Sequence, residues 1–196
     1  MLDRYKLPIT FDAARLQTDL ARLRSDLYVP HFNQRQYVGD WSVLPLREPE
    51  GSLVPGYSDP SKTGKFVNTQ YLDTLPYFQE VIDCFSPIRG KGAVQSARLM
   101  RLGPGGIITE HKDFNLGIEY GEIRLHIPIV TNSLVEFYAN CDRLTMLPGE
   151  CWYVDFGLPH SVKNLGDTER VHLVLDCVVD EHVRSFFPEG VHLRIS

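Results

Sequence analysis

Residues 109–115 read TEHKDFN, directly after the turn sequence LGPGG. In extended backbone, side chains two apart share a face, so His111 and Asp113 would aim an imidazole nitrogen and a carboxylate oxygen at one point. A divalent metal takes such donors; a solvated turn, in which both side chains simply meet water, is the plain alternative. His160, in FGLPHSVKN, supplies a third ligand if its strand crosses beside the first. Two imidazoles and one carboxylate on one side of a metal leave three adjacent positions open, the arrangement of non-haem Fe(II) oxygenases. Two open positions suit a bidentate 2-oxo acid and the third suits dioxygen. Arg170 follows His160 by ten residues and shares a face with His172. Its guanidinium could pair with the far carboxylate of 2-oxoglutarate. Arg124 and His126, two apart in EIRLHIPIV, offer further donors on a neighbouring strand. Three ligands with an open site also fit zinc, but hydrolysis needs no anion clamp at Arg170.

These side chains must be carried by strands. Between residues 93 and 180, short runs rich in β-branched and aromatic residues are separated by LGPGG, EYGE, NCD, LPGE, FGLP and NLGD. Regular short strands with turn signals between them predict an antiparallel barrel or sandwich. Alternation puts Leu125, Ile127 and Ile129 opposite Arg124 and His126, and Leu173, Leu175 and Cys177 opposite Arg170, His172 and Asp176. Upstream, FDAARLQTDLARLRSDL (residues 11–27) has the apolar spacing of an amphipathic helix, and a second helix is expected at about 76–86, with Pro76 in its first turn. Residues 40–65 carry several prolines and glycines without a sustained period, which reads as a long loop and a candidate lid. The expected organisation is therefore a single domain over 1–196, with helical and loop support in 1–92 and the β core in 93–180.

Composition narrows the partners. The chain has 196 residues, 43% of them hydrophobic, and a net charge of −5, enough for one sizeable core and with no basic block for nucleic acid. The N-terminal sequence has no apolar leader, and the longest apolar run, around VHLVLDCVV, is too short to span a bilayer. A cytoplasmic protein acting on a small molecule, with no membrane partner, is the expectation. The four cysteines form no C-x-x-C pair, in keeping with a reducing compartment.

The run RLGPGGIITEHKD, then EIRLHIPIVTN, then LPGECWYVDFGLPHSVKNLGDTERVHLVLDC resembles the aspartyl/asparaginyl β-hydroxylase family of Fe(II)- and 2-oxoglutarate-dependent oxygenases, over roughly residues 68–178. The resemblance implies a double-stranded β-helix, a jelly-roll or cupin-like core. It implies that His111, Asp113 and His160 hold iron and that Arg170 holds the 5-carboxylate of 2-oxoglutarate. It implies that Arg124 and His126 contact cosubstrate or substrate carboxylates, and that Arg98 is a further carboxylate-binding arginine on the substrate side. The reaction implied consumes O2 and 2-oxoglutarate and hydroxylates an unactivated C–H bond. Because Asp113 is present, whereas some peptide-hydroxylating members lack the triad carboxylate, the chain is more similar to the branch acting on free amino acids such as proline. The sequence ends soon after the barrel pattern, so no additional C-terminal domain is expected.

Two other functions remain open at this level: β-hydroxylation of Asp, Asn or another side chain within a peptide or protein, and a non-catalytic or non-oxygenase metal-binding cupin-like barrel. His31, His182 and His192 lack partners at ligand spacing and read as ordinary polar residues, and His172 as a packing or hydrogen-bonding residue.

Overall fold

The first half of the chain already supplies five strands. They are β1 (Arg4–Thr10), β2 (Val29–Pro30), β3 (Tyr37–Val38), β4 (Trp41–Pro49) and β5 (Phe66–Asn68). Helices α1 (Ala13–Leu20) and α2 (Pro76–Phe85) are placed among and after them. The second half contains β6 (Val94–Leu102), β7 (Ile107–His111), β8 (Glu122–Val130), β9 (Val135–Ala139) and β10 (Asp142–Leu144). It closes with β11 (Glu150–Val154), β12 (His160–Asn164), β13 (Arg170–Val178) and the short α3 (Glu181–Arg184). This is a computed structural model that describes residues 2–56, 64–86, 93–113 and 116–191.

From β6 onward the chain shuttles between two sheets. One has the order β1-β11-β8-β13-β6-β4-β2, with β5 also on β4, and the other β10-β9-β12-β7-β3. The pairings are antiparallel, and the two sheets form a jelly roll, the double-stranded β-helix. The larger sheet is apolar on its outer face. There Leu99, Leu125, Ile127, Ile129, Leu173 and Leu175 pack with Leu16 of α1 and Phe78, Val81, Ile82 and Phe85 of α2. Each such side chain taken from water contributes about 1.5–3 kcal/mol. The opposite face lines the barrel, where Phe137, Val154, Phe156, Val162 and Val174 form a smaller apolar cluster. Arg98, Arg124, His126, Arg170, His172 and Asp176 share that interior and are also shielded from solvent. The period-two alternation thus sends the polar set inward and the apolar set outward beneath the helices.

Three expectations are corrected. Residues 41–49 are not part of a loop or lid: β4 lies inside the larger sheet, between β6 and the pair β2 and β5, and Trp41 to Leu46 are buried. Its prolines disguised it. Pro45 sits between the stretches paired with β2 and β5, beside a register shift against β6, where a missing N–H costs no ladder bond. Residues 50–56 do form an irregular, turn-rich connection, whereas residues 57–63 of the lid reading lie outside the described residues, as does His192. The β core is likewise not confined to 93–180, because β1 extends the larger sheet by pairing with β11. The helix expected over 11–27 stops at Leu20, where Arg22 and Leu23 bond back to the carbonyls of Asp19 and Leu20 in a tighter turn. Leu23 and Leu27 still pack on the outer core, which accounts for their helical spacing.

The two helices cap one another. Asp12 caps α1 by accepting from the N–H groups of Ala14 and Arg15. Pro76 has no N–H to lose at the start of α2, and the next two donors, Tyr77 and Phe78, bond to the buried carboxylate of Asp19, at 2.7 and 3.2 Å. Tyr77 returns a contact by accepting the N–H of Asp12 at 2.7 Å. No helix among the described residues is long and apolar enough to cross a membrane. Asp19→Ala strands two buried donors and should cost ~2 kcal/mol or more of stability, read as a lower urea midpoint with an unchanged slope; an unmoved midpoint would contradict the cross-cap.

Candidate active site

The GPGG turn joins β6 to β7 and allows a reversal that other residues would resist. Gly105 has φ +69°, and a Cβ on Gly106 would lie 2.6 Å from a Leu102 methyl group and 2.9 Å from the Gly103 carbonyl. β7 then runs beside β12 with His111 opposite His160. Each imidazole is fixed by a carbonyl two residues before it. His111 Nδ1 lies 2.7 Å from Thr109 O and His160 Nδ1 lies 3.0 Å from Leu158 O. A carbonyl only accepts, so both Nδ1 atoms carry the proton and both Nε2 atoms keep a lone pair. Those Nε2 atoms are 3.1 Å apart. Asp113 follows β7, tied by its N–H to the Phe156 carbonyl at 2.8 Å. Its Oδ1 lies 3.7 Å from His111 Nε2. One ligand atom from each of the three residues falls within 4.8 Å of the others, a donor set suited to one divalent metal.

Burial, then the neighbouring His111, brings His160 down to about 4, which keeps it neutral and able to donate its lone pair near neutral pH. Burial alone would raise Asp113, but Arg124 and the two imidazoles outweigh it and hold the carboxyl below its ordinary range. Arg124 Nη1 donates to Asp113 Oδ2. The same guanidinium grips Asp176 with Nε and Nη2, at 2.6 and 3.1 Å. Arg98 Nη1 donates to Asp176 Oδ2 at 2.8 Å and to Ser96 Oγ at 2.5 Å.

Arg170 starts β13, six residues from Asp176, or ~20 Å along an extended strand. It is 2% exposed, and no carboxylate pairs with it among the described residues. Burial alone brings its pKa down to about 9. Arg170 Nη2 donates to His172 Nδ1 at 2.9 Å, and His126 Nδ1 lies 3.3 Å from that same nitrogen. Arg170 Nε and His126 Nε2 are buried without a hydrogen-bond partner among the described residues. Phe156 stacks on His126 and meets His160 edge-on, which links this pocket to the three-residue centre.

The site residues therefore form two groups. His111, Asp113, His160, Arg124 and Arg98 gather around one end of the barrel, and His126, His172 and Arg170 occupy the other. Arg124 and His126, neighbours on one face of β8, serve different groups.

Two features escape the sequence patterns. His31 is a wall of the site: it stacks on Trp41 with ring centroids 3.6 Å apart, and Trp41 in turn lies 6.5 Å from His111. Burial, with Arg98 and Arg124 nearby, takes His31 down to about 3. Asp176 is the second, although its place on the Arg170 and His172 face was visible in the alternation of β13.

A profile described as Aspartyl/Asparaginyl beta-hydroxylase matches residues 11–179. The chain belongs to the aspartyl/asparaginyl β-hydroxylase family. The match reaches well upstream of the motif run at 68–178 and takes in α1 and β4. Among curated proteins, this β-hydroxylase family chain is 28% identical over 182 residues to L-proline cis-4-hydroxylase of Rhizobium meliloti (strain 1021), covering 91% of this chain and 61% of that one. It is 26% identical over 174 residues to L-proline cis-3-hydroxylase 2 of a Streptomyces species, covering 88% and 59%. The chain thus spans about three-fifths of the length of these relatives. Two solved structures share the fold. An oxidoreductase of the 2OG-Fe(II) oxygenase family from Burkholderia pseudomallei has a TM-score of 0.56 at 16% identity, covering 89% of this chain and 85% of that one. A Pseudomonas putida prolyl-4-hydroxylase has a TM-score of 0.51 at 12% identity, covering 90% and 93%.

Buried neutral imidazoles give the stability a defined pH dependence. His31 and His160 titrate near 3 and 4 when folded and near 6.5 when unfolded, so the unfolded chain binds more protons between those values. Their contribution is complete above about pH 6.5 and is lost as pH falls toward 4. Urea denaturation of metal-free protein should show a loss of ~2 kcal/mol or more between pH 7 and pH 4.5; a flat profile would contradict the burial of neutral histidines.

Proposed function

We propose that the protein is an Fe(II)- and 2-oxoglutarate-dependent dioxygenase that hydroxylates a C–H bond of a free, proline-like amino acid. The observation that carries this reading is Arg170, a guanidinium buried in the barrel with no anion paired to it among the described residues. A buried cation needs a counter-charge, and truncating or leaving it alone is costly. A dicarboxylate extending from the three-residue centre supplies that charge at the required end. Of the three interior arginines at the site, Arg98 and Arg124 already share Asp176, which leaves Arg170 for the cosubstrate.

His111, Asp113 and His160 would hold the iron, each through one atom. Bound there with 2-oxoglutarate and O2, the iron supplies oxidative decarboxylation of the keto acid and oxidation of the substrate C–H bond. The chain's own residues bind and exclude. Arg170 turns its fork to the distal carboxylate, and His172 Nδ1, relieved of that donor, still accepts from His126 Nδ1–H. His126, stacked on Phe156, forms a wall of the same pocket. Phe137 and Phe156 close the apolar wall of this pocket and keep water out. On the substrate side, Arg98 donates to Ser96 and Asp176 through Nη1 alone among the described residues, leaving its Nη2 edge for a substrate carboxylate. The similarity to two proteins named as proline hydroxylases, together with the presence of Asp113, favours a free amino acid over a peptide.

Purified protein supplied with Fe(II), ascorbate and 2-oxoglutarate should form succinate in step with hydroxylation of at least one member of a cyclic amino-acid panel, each product gaining one oxygen by mass spectrometry. Failure to consume 2-oxoglutarate with any member would count against the reading, and hydroxylation of peptides alone would redirect it to a tethered substrate. Asp113→Ala should abolish coupled turnover while leaving the circular-dichroism spectrum unchanged. Arg170→Leu should raise the KM for 2-oxoglutarate by about 10- to 100-fold, the loss of a charge-assisted pair; an unaltered KM would place the clamp elsewhere.

A further inference from the structure

Four charged side chains alternate in sign across the barrel: Arg98, Asp176, Arg124 and Asp113, ending at the two imidazoles. The third link is the informative one. Arg124 has a planar fork that fits both oxygens of a single carboxylate, and two carboxylates compete for it. Asp176 takes the Nε and Nη2 edge through both its oxygens. In that orientation Nη1 is the atom that donates to Asp113, and it reaches Oδ2, leaving Oδ1 on the His111 side.

We propose that Asp176 is a positioning residue for the metal centre: by gripping the Nε and Nη2 edge of Arg124 it fixes the guanidinium so that Nη1 meets a single oxygen of Asp113, and so keeps the other Asp113 oxygen free for the metal. The inference rests on the reading of His111, Asp113 and His160 as the metal ligands. Asp176 touches none of the three, and its influence passes through Arg124. Its setting fits the role. It is 5% exposed and lies on the central strand β13, where it pairs with Ser96 on one side and Arg124 on the other. Burial would raise its pKa, but Arg124 and Arg98 outweigh that and keep it ionised. Arg98, itself held by Ser96, donates to its second oxygen and restrains the carboxylate from swinging with Arg124. Without Asp176, Arg124 and Arg98 would face each other with one carboxylate between them and the centre. Arg124 would then turn its full fork on Asp113 and compete with the cation for both oxygens.

The test is Mn(II) binding to the metal-free, full-length protein, followed by the electron paramagnetic resonance of free Mn(II). Asp176→Asn should weaken binding by about 10-fold or more, the usual consequence of removing an outer partner of a ligand, and Asp176→Glu should recover most of it. In an Arg124→Gln background, Asp176→Asn should change the affinity by less than about 2-fold, because the competing fork is gone. Wild-type affinity in Asp176→Asn, or an equal loss with and without Arg124, would overturn the inference. If Asp176→Asn does not fold, the same comparison is made with Asp176→Glu: a residual deficit that disappears in Arg124→Gln supports the role, and one that persists overturns it. Wild-type protein that binds no Mn(II) would sink the metal-ligand reading and this inference together, whereas wild-type binding with indifferent Asp176 variants would sink this inference alone.

Discussion

The site depends on the pairing of β7 with β12, which sets His111 opposite His160 and brings two unprotonated nitrogens to within 3.1 Å. Two lone pairs so close repel unless something positive lies between or beside them. The backbone makes the arrangement hard to escape, since the Thr109 and Leu158 carbonyls occupy the other nitrogen of each ring. A slip of one residue in this pairing would turn one imidazole out of the barrel. The glycine turn before β7, the anchoring of Asp113 on Phe156 and the continuation of β12 along β9 all hold that register.

An interior this polar needs a sheet whose stability comes from elsewhere. The larger sheet buries its aliphatic face against α1 and α2, outside the barrel, and this leaves the inner face free to carry arginines, histidines and aspartates. The charges are then sorted. At the end nearer the His and Asp cluster, Asp176 and Asp113 neutralise Arg98 and Arg124 within a connected ladder. At the other end the polar groups beside Arg170, among the described residues, are the neutral imidazoles of His172 and His126. The same barrel therefore has one end whose charge is internally satisfied and one that is not, and this difference gives the pocket a direction.

Much of this was legible in the sequence, for a physical reason. Period-two alternation in β8 and β13 separates aliphatic from polar residues without ambiguity, and the HKD run after a glycine turn marks the end of a strand. The jelly roll and the membership of His111, Asp113 and His160 in one cluster could be expected from that pattern and from the family resemblance. What the pattern alone did not settle was which face turned inward. β4 was hidden because Pro45 interrupts it between the stretches paired with β2 and β5 and Pro49 ends it, so a buried strand looked like a loop. With β4 unseen, His31 and Trp41 had no reason to approach the site. Asp176 was read as one polar residue in an alternation, since nothing local shows that two arginines from separate strands meet on it.

The most direct measurement is anomalous diffraction from crystals grown with Mn(II), collected at the manganese edge. The account predicts one strong peak inside the barrel, about 2.0–2.3 Å from His111 Nε2, His160 Nε2 and Asp113 Oδ1. A map with no peak there, or with the ion held by other residues while His160 turns away, would contradict it.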